Sequence, residues 1–352
     1  MGTRTVAIDV GASTVRVAEV ELGSGPDGRD GATLHAYAEA PVPAGIIRDG
    51  VAQEPTALSQ IIQGALSSVK TSTKNVTVGI GLSSIVVREV DIPAQPMDKV
   101  RQSLAFHVQD QLPMPADEAI LDFYPTMEIE ASAGMTLRGL LVASPREVVR
   151  DALSIVEKGG AHVTAVDHSA FGLWRSGCRG PLMQTNVAFV DIGADTTTVV
   201  ISQAGMPRLI RALPQGGNDA TKGVANIVKG SALDAEALKR EVGMDMSVGP
   251  DRRAIAEASA HVMSSLVEAV RNTMVYFASS NPGGGAERIV LSGGGAHMRG
   301  LGQALASATR LPVVIAEPLA GLRLGKKADL RAIQGREFEL ATVVGLAMRS
   351  AK

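Results

Sequence analysis

Val6-Ala7-Ile8-Asp9-Val10-Gly11-Ala12-Ser13-Thr14-Val15-Arg16-Val17-Ala18 and Val187-Ala188-Phe189-Val190-Asp191-Ile192-Gly193-Ala194-Asp195-Thr196-Thr197-Thr198-Val199-Val200 are two copies of one design. Each is a β-branched strand ending in Asp-x-Gly, a small polar turn and a second β-branched strand, which predicts a tight-turned hairpin. Glycine lets the backbone approach a ligand closely, and the amides and hydroxyls behind it can form a nest for phosphate oxygens. A carboxylate at the strand end can hold Mg²⁺ directly or through its waters. One such hairpin is a common turn. Two, each opening a half of the chain, predict a nucleotide clamped between duplicated domains.

A third stretch, Arg288-Ile289-Val290-Leu291-Ser292-Gly293-Gly294-Gly295-Ala296-His297-Met298-Arg299-Gly300-Leu301, reads as a buried strand, a glycine-rich loop and the start of a helix running to Thr309. Side chains would block a flat adenine and ribose from lying on this backbone; glycines do not. Taken alone it also reads as a plain βα loop. It is neither a Walker A loop, since no Lys-Ser/Thr follows the glycines, nor a clean GxGxxG turn.

The order of phosphate hairpin, second hairpin and glycine loop resembles the actin-like ATPase superfamily, which includes actin, DnaK-type chaperones, sugar kinases and FtsA. Two further stretches fit. Leu213-Pro214-Gln215-Gly216-Gly217-Asn218-Asp219 resembles the Gly-Gly-x-Asp that follows the second hairpin in the chaperones. Ala235-Glu236-Ala237-Leu238-Lys239-Arg240-Glu241 resembles their Glu-x-x-Lys-Arg helix, whose side chains reach adenosine. At helical spacing Glu236 and Lys239/Arg240 share a face, so an ordinary i,i+3/i+4 ion pair explains the same pattern. The resemblance implies an α/β, actin-like two-lobed fold built from duplicated ribonuclease H-like domains.

Composition narrows the partners. With 352 residues there is room for two domains or one bilobed one. A net charge of −2 gives no electrostatic footprint for nucleic acid, and no Lys/Arg run points to a membrane surface. Six Phe, three Tyr and one Trp are too few for a base-stacking platform. The abundance of Val, Ala, Leu and Ile suits strands buried by helices on both faces. Cys178 is the single cysteine, so no intramolecular disulfide can form; a reducing compartment and a surface or semi-buried thiol are expected. The chain enters a strand without an apolar leader, and no apolar run approaches membrane-spanning length.

Segment by segment, 1–83 is expected to be the first part of the first lobe. It has a polar turn at Gly23–Gly31, a strand at Ala32–Glu39, a helix at Glu54–Val69 and a strand at Val76–Gly81 that closes the sheet. Residues 84–160 read as an inserted α+β block: a strand at Ile85–Ile92, a helix at Met97–Gln111, strands near Ile120–Pro125 and Thr126–Ile129, and another at Leu137–Ala143. A helix from Pro145 to Lys158 then stops at Gly159-Gly160. Residues 161–184 return to the first lobe, and 185–352 form the second. The second lobe carries a helical cap at about 219–280, the adenosine loop at 292–300 and a closing helix at 338–349. Small residues of that helix (Ala341, Gly345, Ala347) would let it pack closely where the lobes hinge.

The insertion follows Val76–Gly81, as in FtsA, where it is subdomain 1C, and in the type IV pilus assembly protein PilM family. Arg88-Glu89-Val90-Asp91-Ile92-Pro93 and Ala105-Phe106-His107-Val108-Gln109-Asp110-Gln111-Leu112-Pro113-Met114-Pro115 resemble PilM, as do Leu213–Asp219, Ile289–Gly300 and Ala341–Arg349. The likeness runs from Thr5 to Arg349. Since the sequence ends at Lys352, the amphipathic membrane-targeting helix that follows the closing helix in FtsA is not expected. Arg16 departs from the usual Lys, offering phosphate a planar fork instead of a point charge.

The resemblance implies Mg²⁺-ATP or ADP between the lobes. Gly11, Ala12, Ser13 and Arg16 would cradle phosphate with Gly193, Ala194, Thr196 and Thr197. Asp9 and Asp191 would hold the metal, and Gly216, Gly217, Glu236, Lys239, Arg240, Gly293, Gly294, Gly295 and Ala296 would surround the nucleoside. Asp167 sits where the superfamily keeps a residue that positions the attacking water, without a clean match; His168 and His107 read as packed or solvated. Slow or absent hydrolysis is therefore expected. The implied role is a cytoplasmic scaffold, held at the inner membrane through the N-terminal peptide of a PilN-like bitopic protein. That peptide would lie in a groove between the first lobe and its insertion. Pilus motor ATPases and self-association are further contacts it allows. The alternatives are an FtsA-like cell-division protein and a sugar kinase, the latter lacking any visible catalytic Asp motif.

Overall fold

The computed structural model describes residues 3–23, 31–48, 50–71, 73–131 and 134–349. Most of the turn expected at Gly23–Gly31 lies outside them. Both hairpins form as the alternation requires. Arg4–Val10 pairs antiparallel with Thr14–Glu21, and Val187–Ile192 with Thr197–Gln203. Each is the middle of a sheet with the same plan: a hairpin, a third antiparallel strand on one side and two parallel strands on the other. In the first sheet the order is His162–His168, Asn75–Ile80, Arg4–Val10, Thr14–Glu21, Thr33–Pro41 and Arg323–Leu324. In the second it is Met206–Leu213, Thr197–Gln203, Val187–Ile192, Arg288–Ser292 and Val313–Ile315. This is the duplication that the repeated hairpins announced. Their central strands are buried on both faces, with Val6, Ala7, Ile8, Ala188, Phe189 and Val190 fully covered.

Four boundaries differ from the sequence reading. Asn75–Ile80 does not close the first sheet, because His162–His168 pairs in parallel outside it. The two short strands expected around Pro125 are one strand, Ala119–Ala131, whose register shifts between Pro125 and Met127; proline's missing N–H is absorbed in a bulge. The inserted block is shorter than 84–160. Its sheet runs Val86–Pro93, Gly134–Pro145, Ala119–Ala131 and is covered by the helix Met97–Val108 through Val100, Leu104 and Val108. The helix Arg146–Lys158, by contrast, buries Val149 and Val156 in the first lobe's core, where Ser59 donates to the Ile155 carbonyl at 2.9 Å.

The fourth difference concerns 185–352. Past the second sheet the chain recrosses: Arg323–Leu324 pairs with Thr33–Leu34, and Leu340 to Met348 pack on Ala7, Ala18, Val20 and Leu34 of the first lobe. The closing element is a 3-10 turn, Glu337–Leu340, followed by the helix Ala341–Ala347. It lies so close to the helix Ser169–Gly177 that a Cβ on Gly345 would collide with the Gly172 carbonyl. The small residues do there what their sizes suggested. Cys178 is fully buried in the cluster holding Trp174, Phe189 and Ile210, not near the surface. That cluster also takes Leu140 of the inserted block. Beside it the guanidinium of Arg208, on the second sheet's outer strand, meets Glu89 at 2.8 Å. Among the described residues no helix is long and apolar enough to cross a membrane.

Candidate functional site

Between the two hairpins lies a cleft of about 950 Å³. The turns entering it share one geometry: Gly11 N donates to Thr14 O at 3.0 Å, and Gly193 N to Thr196 O at 3.0 Å. A Cβ would stand 3.0 Å from Thr14 O at Gly11 and 2.8 Å from Thr196 O at Gly193. Neither glycine has positive φ; closeness, not left-handed backbone, selects glycine at both. The second turn is latched to the helix Gly217–Val228, since Gly217 N and Asn218 N donate to the carbonyls of Gly193 and Ala194 at 2.9 and 2.8 Å. Ala12, Ser13, Ala194 and Thr196 line the cleft alongside these glycines.

Asp9 and Asp191 occupy matching strand ends. Asp9 pairs with Arg16 across its hairpin, and Asp191 with Thr198 across the other. Burial pushes the Asp9 carboxyl up to about 6; Arg16 opposes this, the charge of Asp191 adds to it, and the Ser169 hydroxyl, 3.5 Å away, lowers it slightly. Asp191 is also raised by burial, against a 2.9 Å hydrogen bond from Ser292. These are two half-buried carboxylates lining the cleft beside turns that exclude side chains, and carboxylate oxygens are the donors a hard divalent cation takes.

On the other wall, Glu236 accepts from Lys239 at 2.6 Å, Arg240 at 2.7 Å and Thr221 at 2.5 Å. Lys239 is buried and donates further to the Gly217 carbonyl and the Thr221 hydroxyl at 3.1 and 2.9 Å. Burial lowers its pKa, against the pull of Glu236. The helical ion pair and the cleft-lining arrangement are therefore both present. Of the glycine loop, Gly293, Gly294 and Gly295 line the cleft. Only Gly294 has open space where a Cβ would be; Gly293 has φ +81° and would place a Cβ 2.5 Å from Ile192 O, and Gly295 packs on the Ile192 side chain. Two of the three glycines thus serve the seam between loop and hairpin.

Four expected site residues are placed differently. Thr197 is fully buried and donates to the Gln215 carbonyl at 2.8 Å; strand alternation turns Thr198 into the cleft instead. Gly216 lies behind the cleft wall, where a Cβ would come 2.5 Å from Ala194 O. Ala296 turns inward behind its neighbours, its N–H donating to Gly293 O at 3.0 Å. Asp167 is paired with Arg175 two strands from Asp9, outside the cleft; Ser169, just beyond it, is the side chain that reaches Asp9. His168 is packed as expected: burial lowers its pKa to about 4, and Nδ1 accepts from Ala170 N at 3.1 Å.

Arg16 lines the cleft but is engaged by Glu339. The same carboxylate meets His297 Nε2 at 2.9 Å and Arg336 at 3.5 Å, while Arg336 reaches Glu39 at 2.6 Å. Neither Glu339 nor His297 carries a sequence signal for this contact, because Arg16 lies 323 positions from Glu339 and His297 lies 42 from it. Strand alternation could have found Thr198.

The family model described as type IV pilus assembly protein PilM matches residues 7–351. The chain belongs to this family. A solved PilM-PilN type IV pilus biogenesis complex is similar over 100% of both chains, with a TM-score of 0.85 and 25% identity. Cell division protein FtsA of Streptococcus pneumoniae serotype 2 (strain D39) is 24% identical over 258 residues, covering 67% of this chain and 55% of that protein. FtsA of Bacillus subtilis (strain 168) is 25% identical over 109 residues, 31% of this chain and 25% of that one. The chain thus spans about half, or less, of the curated relatives it matches. MreB5 of Spiroplasma citri bound to ADP is 13% identical with a TM-score of 0.51, covering 97% of this chain and 94% of that one, a likeness of fold alone. The PilM family member described here has the actin-like α/β fold, with the α+β block inserted in its first lobe.

Proposed function

We propose that this PilM-family chain is a cytoplasmic, nucleotide-binding scaffold of type IV pilus assembly. ATP or ADP with Mg²⁺ would sit between the hairpins, with Asp9 and Asp191 toward the metal. The turns at Gly11–Ser13 and Gly193–Thr196 would hold phosphate, with Gly294, Glu236, Lys239 and Arg240 around the nucleoside. Bound there, the metal would supply charge neutralisation for the phosphates. The observation that carries this reading is the pair of matching glycine turns, each with a half-buried Asp at its strand end and both opening on one cleft. Asp167, the candidate for positioning water, is occupied by Arg175 outside the cleft, which supports a nucleotide-held switch over a fast ATPase.

The partner would be the N-terminal peptide of a PilN-like bitopic protein, which would keep the scaffold peripheral to the membrane. An apolar extension of the cleft, lined by Ile47, Val51, Leu58, Leu82, Val148 and Ile155, lies where the chain leaves the first lobe for the inserted block and returns from it. An extended peptide could use it for alternate side chains. Motor ATPases and self-association remain further proposed contacts. Calorimetry on nucleotide-stripped protein tests the first part: Mg²⁺-ATP should bind, and Asp191→Ala should weaken it at least tenfold, whereas no binding by the unmodified chain would reject it. A synthetic peptide from the partner tests the second. Val148→Glu, at a partly exposed position, should abolish its binding, and unchanged affinity would move the docking site elsewhere.

A further inference from the structure

The carboxylates facing the hairpins outnumber the guanidiniums there. Asp9, Asp191, Glu39 and Glu339 line or adjoin the cleft, against Arg16 and Arg336. A polyanion entering this site needs a cation that is not already spent on a protein carboxylate. Arg16 is the first hairpin's cleft-lining guanidinium, and it is held by Glu339. That hold is incomplete: the buried Arg16 Nε has no hydrogen-bond partner, with the nearest Glu39 oxygen at 3.8 Å. A buried N–H left unbonded is costly, and an acceptor with more oxygens than one carboxylate would satisfy it.

Glu339 does not depend on Arg16 alone. Its side chain is only 6% exposed, and besides Arg16 it meets His297 on the glycine loop and Arg336 three residues upstream. If Arg16 turned away, Glu339 would still be buried among cationic and hydrogen-bonding groups, so the exchange strands no charge.

We propose that Glu339 is a resident counter-ion for Arg16, exchanged for nucleotide phosphate when a nucleoside di- or triphosphate binds. The arriving phosphate oxygens take the Arg16 fork, including its unbonded Nε, and Glu339 settles onto His297 and Arg336. Because His297 belongs to the glycine loop and Arg16 to the first hairpin, one carboxylate then reports phosphate occupancy to the loop beside the nucleoside. Glu339 acts through Arg16 and is a positioning residue. The inference rests on the nucleotide reading of the cleft.

The test measures binding of Mg²⁺-ATP and of adenosine to the nucleotide-stripped full chain, to Glu339→Gln, to Arg16→Ala and to the double variant. Glutamine keeps the size and an acceptor for His297 while removing the charge. The expected result is roughly tenfold tighter ATP binding by Glu339→Gln, the change typical of one freed ionic contact. Adenosine affinity should not change, and the gain should vanish in the Arg16→Ala background. A purely structural ion cluster would instead lower thermal stability and leave ATP affinity unchanged, and that outcome overturns the proposal. So does a gain that persists without Arg16. Failure of every form to bind ATP rejects the nucleotide reading itself, a separate result from equal binding by the unmodified chain and Glu339→Gln. Should Glu339→Gln not fold, Glu339→Asp, whose shorter carboxylate retracts from Arg16, must tighten ATP in the same direction.

Discussion

Asp9→Asn should stabilise the ligand-free protein while weakening the proposed cation site. Burial raises the Asp9 carboxyl from 3.8 to about 6, so the folded chain binds a proton more tightly there than the unfolded chain does. The sign follows from linkage. Between these two values the folded state carries the extra proton, so stability falls as pH rises through about 6 and stays lower above it. The displacement corresponds to roughly 3 kcal/mol of destabilisation at pH 7, at 1.36 kcal/mol per pH unit. Asparagine keeps the shape and cannot ionise, so this contribution disappears. With an unfolding entropy near 2.1 cal/mol/K per residue over 352 residues, the gain is about 4 °C in Tm if the chain melts as one unit. Scanning calorimetry of both proteins at several pH values is the assay. The advantage of Asp9→Asn should be negligible near pH 4, grow through pH 6 and be complete by pH 7.5. Adding Mg²⁺-ATP should reverse the ranking at neutral pH, because the ligand stabilises only the form with the carboxylate. An equal Tm difference at pH 4.5 and 7.5 would refute the reasoning, since a pH-independent gain cannot come from this titration.

Gly345→Ala should destabilise the fold by about 3 kcal/mol or more, because its Cβ meets the Gly172 backbone rather than a movable side chain; urea denaturation measures it. Thr197→Val should cost about 1–2 kcal/mol by leaving the Gln215 carbonyl without its hydroxyl donor, yet keep nucleotide affinity within twofold. Thr198→Val is the contrast: it faces the cleft and should weaken Mg²⁺-ATP severalfold by calorimetry with little change in Tm.

What the sequence determined by itself was local and repeated. β-branched runs, Asp-x-Gly turns and glycine loops encode short-range geometry, so both hairpins, the Leu301–Thr309 helix and the carboxylates at Asp9 and Asp191 could be read before any contact was known. Gly345 was legible for the same reason, since a small residue in a helix admits a close neighbour whichever neighbour it proves to be. Period-two alternation at the start of that strand separates Thr197 from Thr198. The tertiary structure alone decided which sheet each segment joins. The helix Arg146–Lys158 carries an apolar stripe that fits any core, and only packing assigned it to the first lobe. Likewise the tail after Val313–Ile315 crosses back to Thr33–Pro41, bringing Glu339 to Arg16 across most of the chain. Side-chain chemistry repeats along a sequence with the period of its helix or strand, but the pairing of distant charges depends on how the lobes close around one cleft.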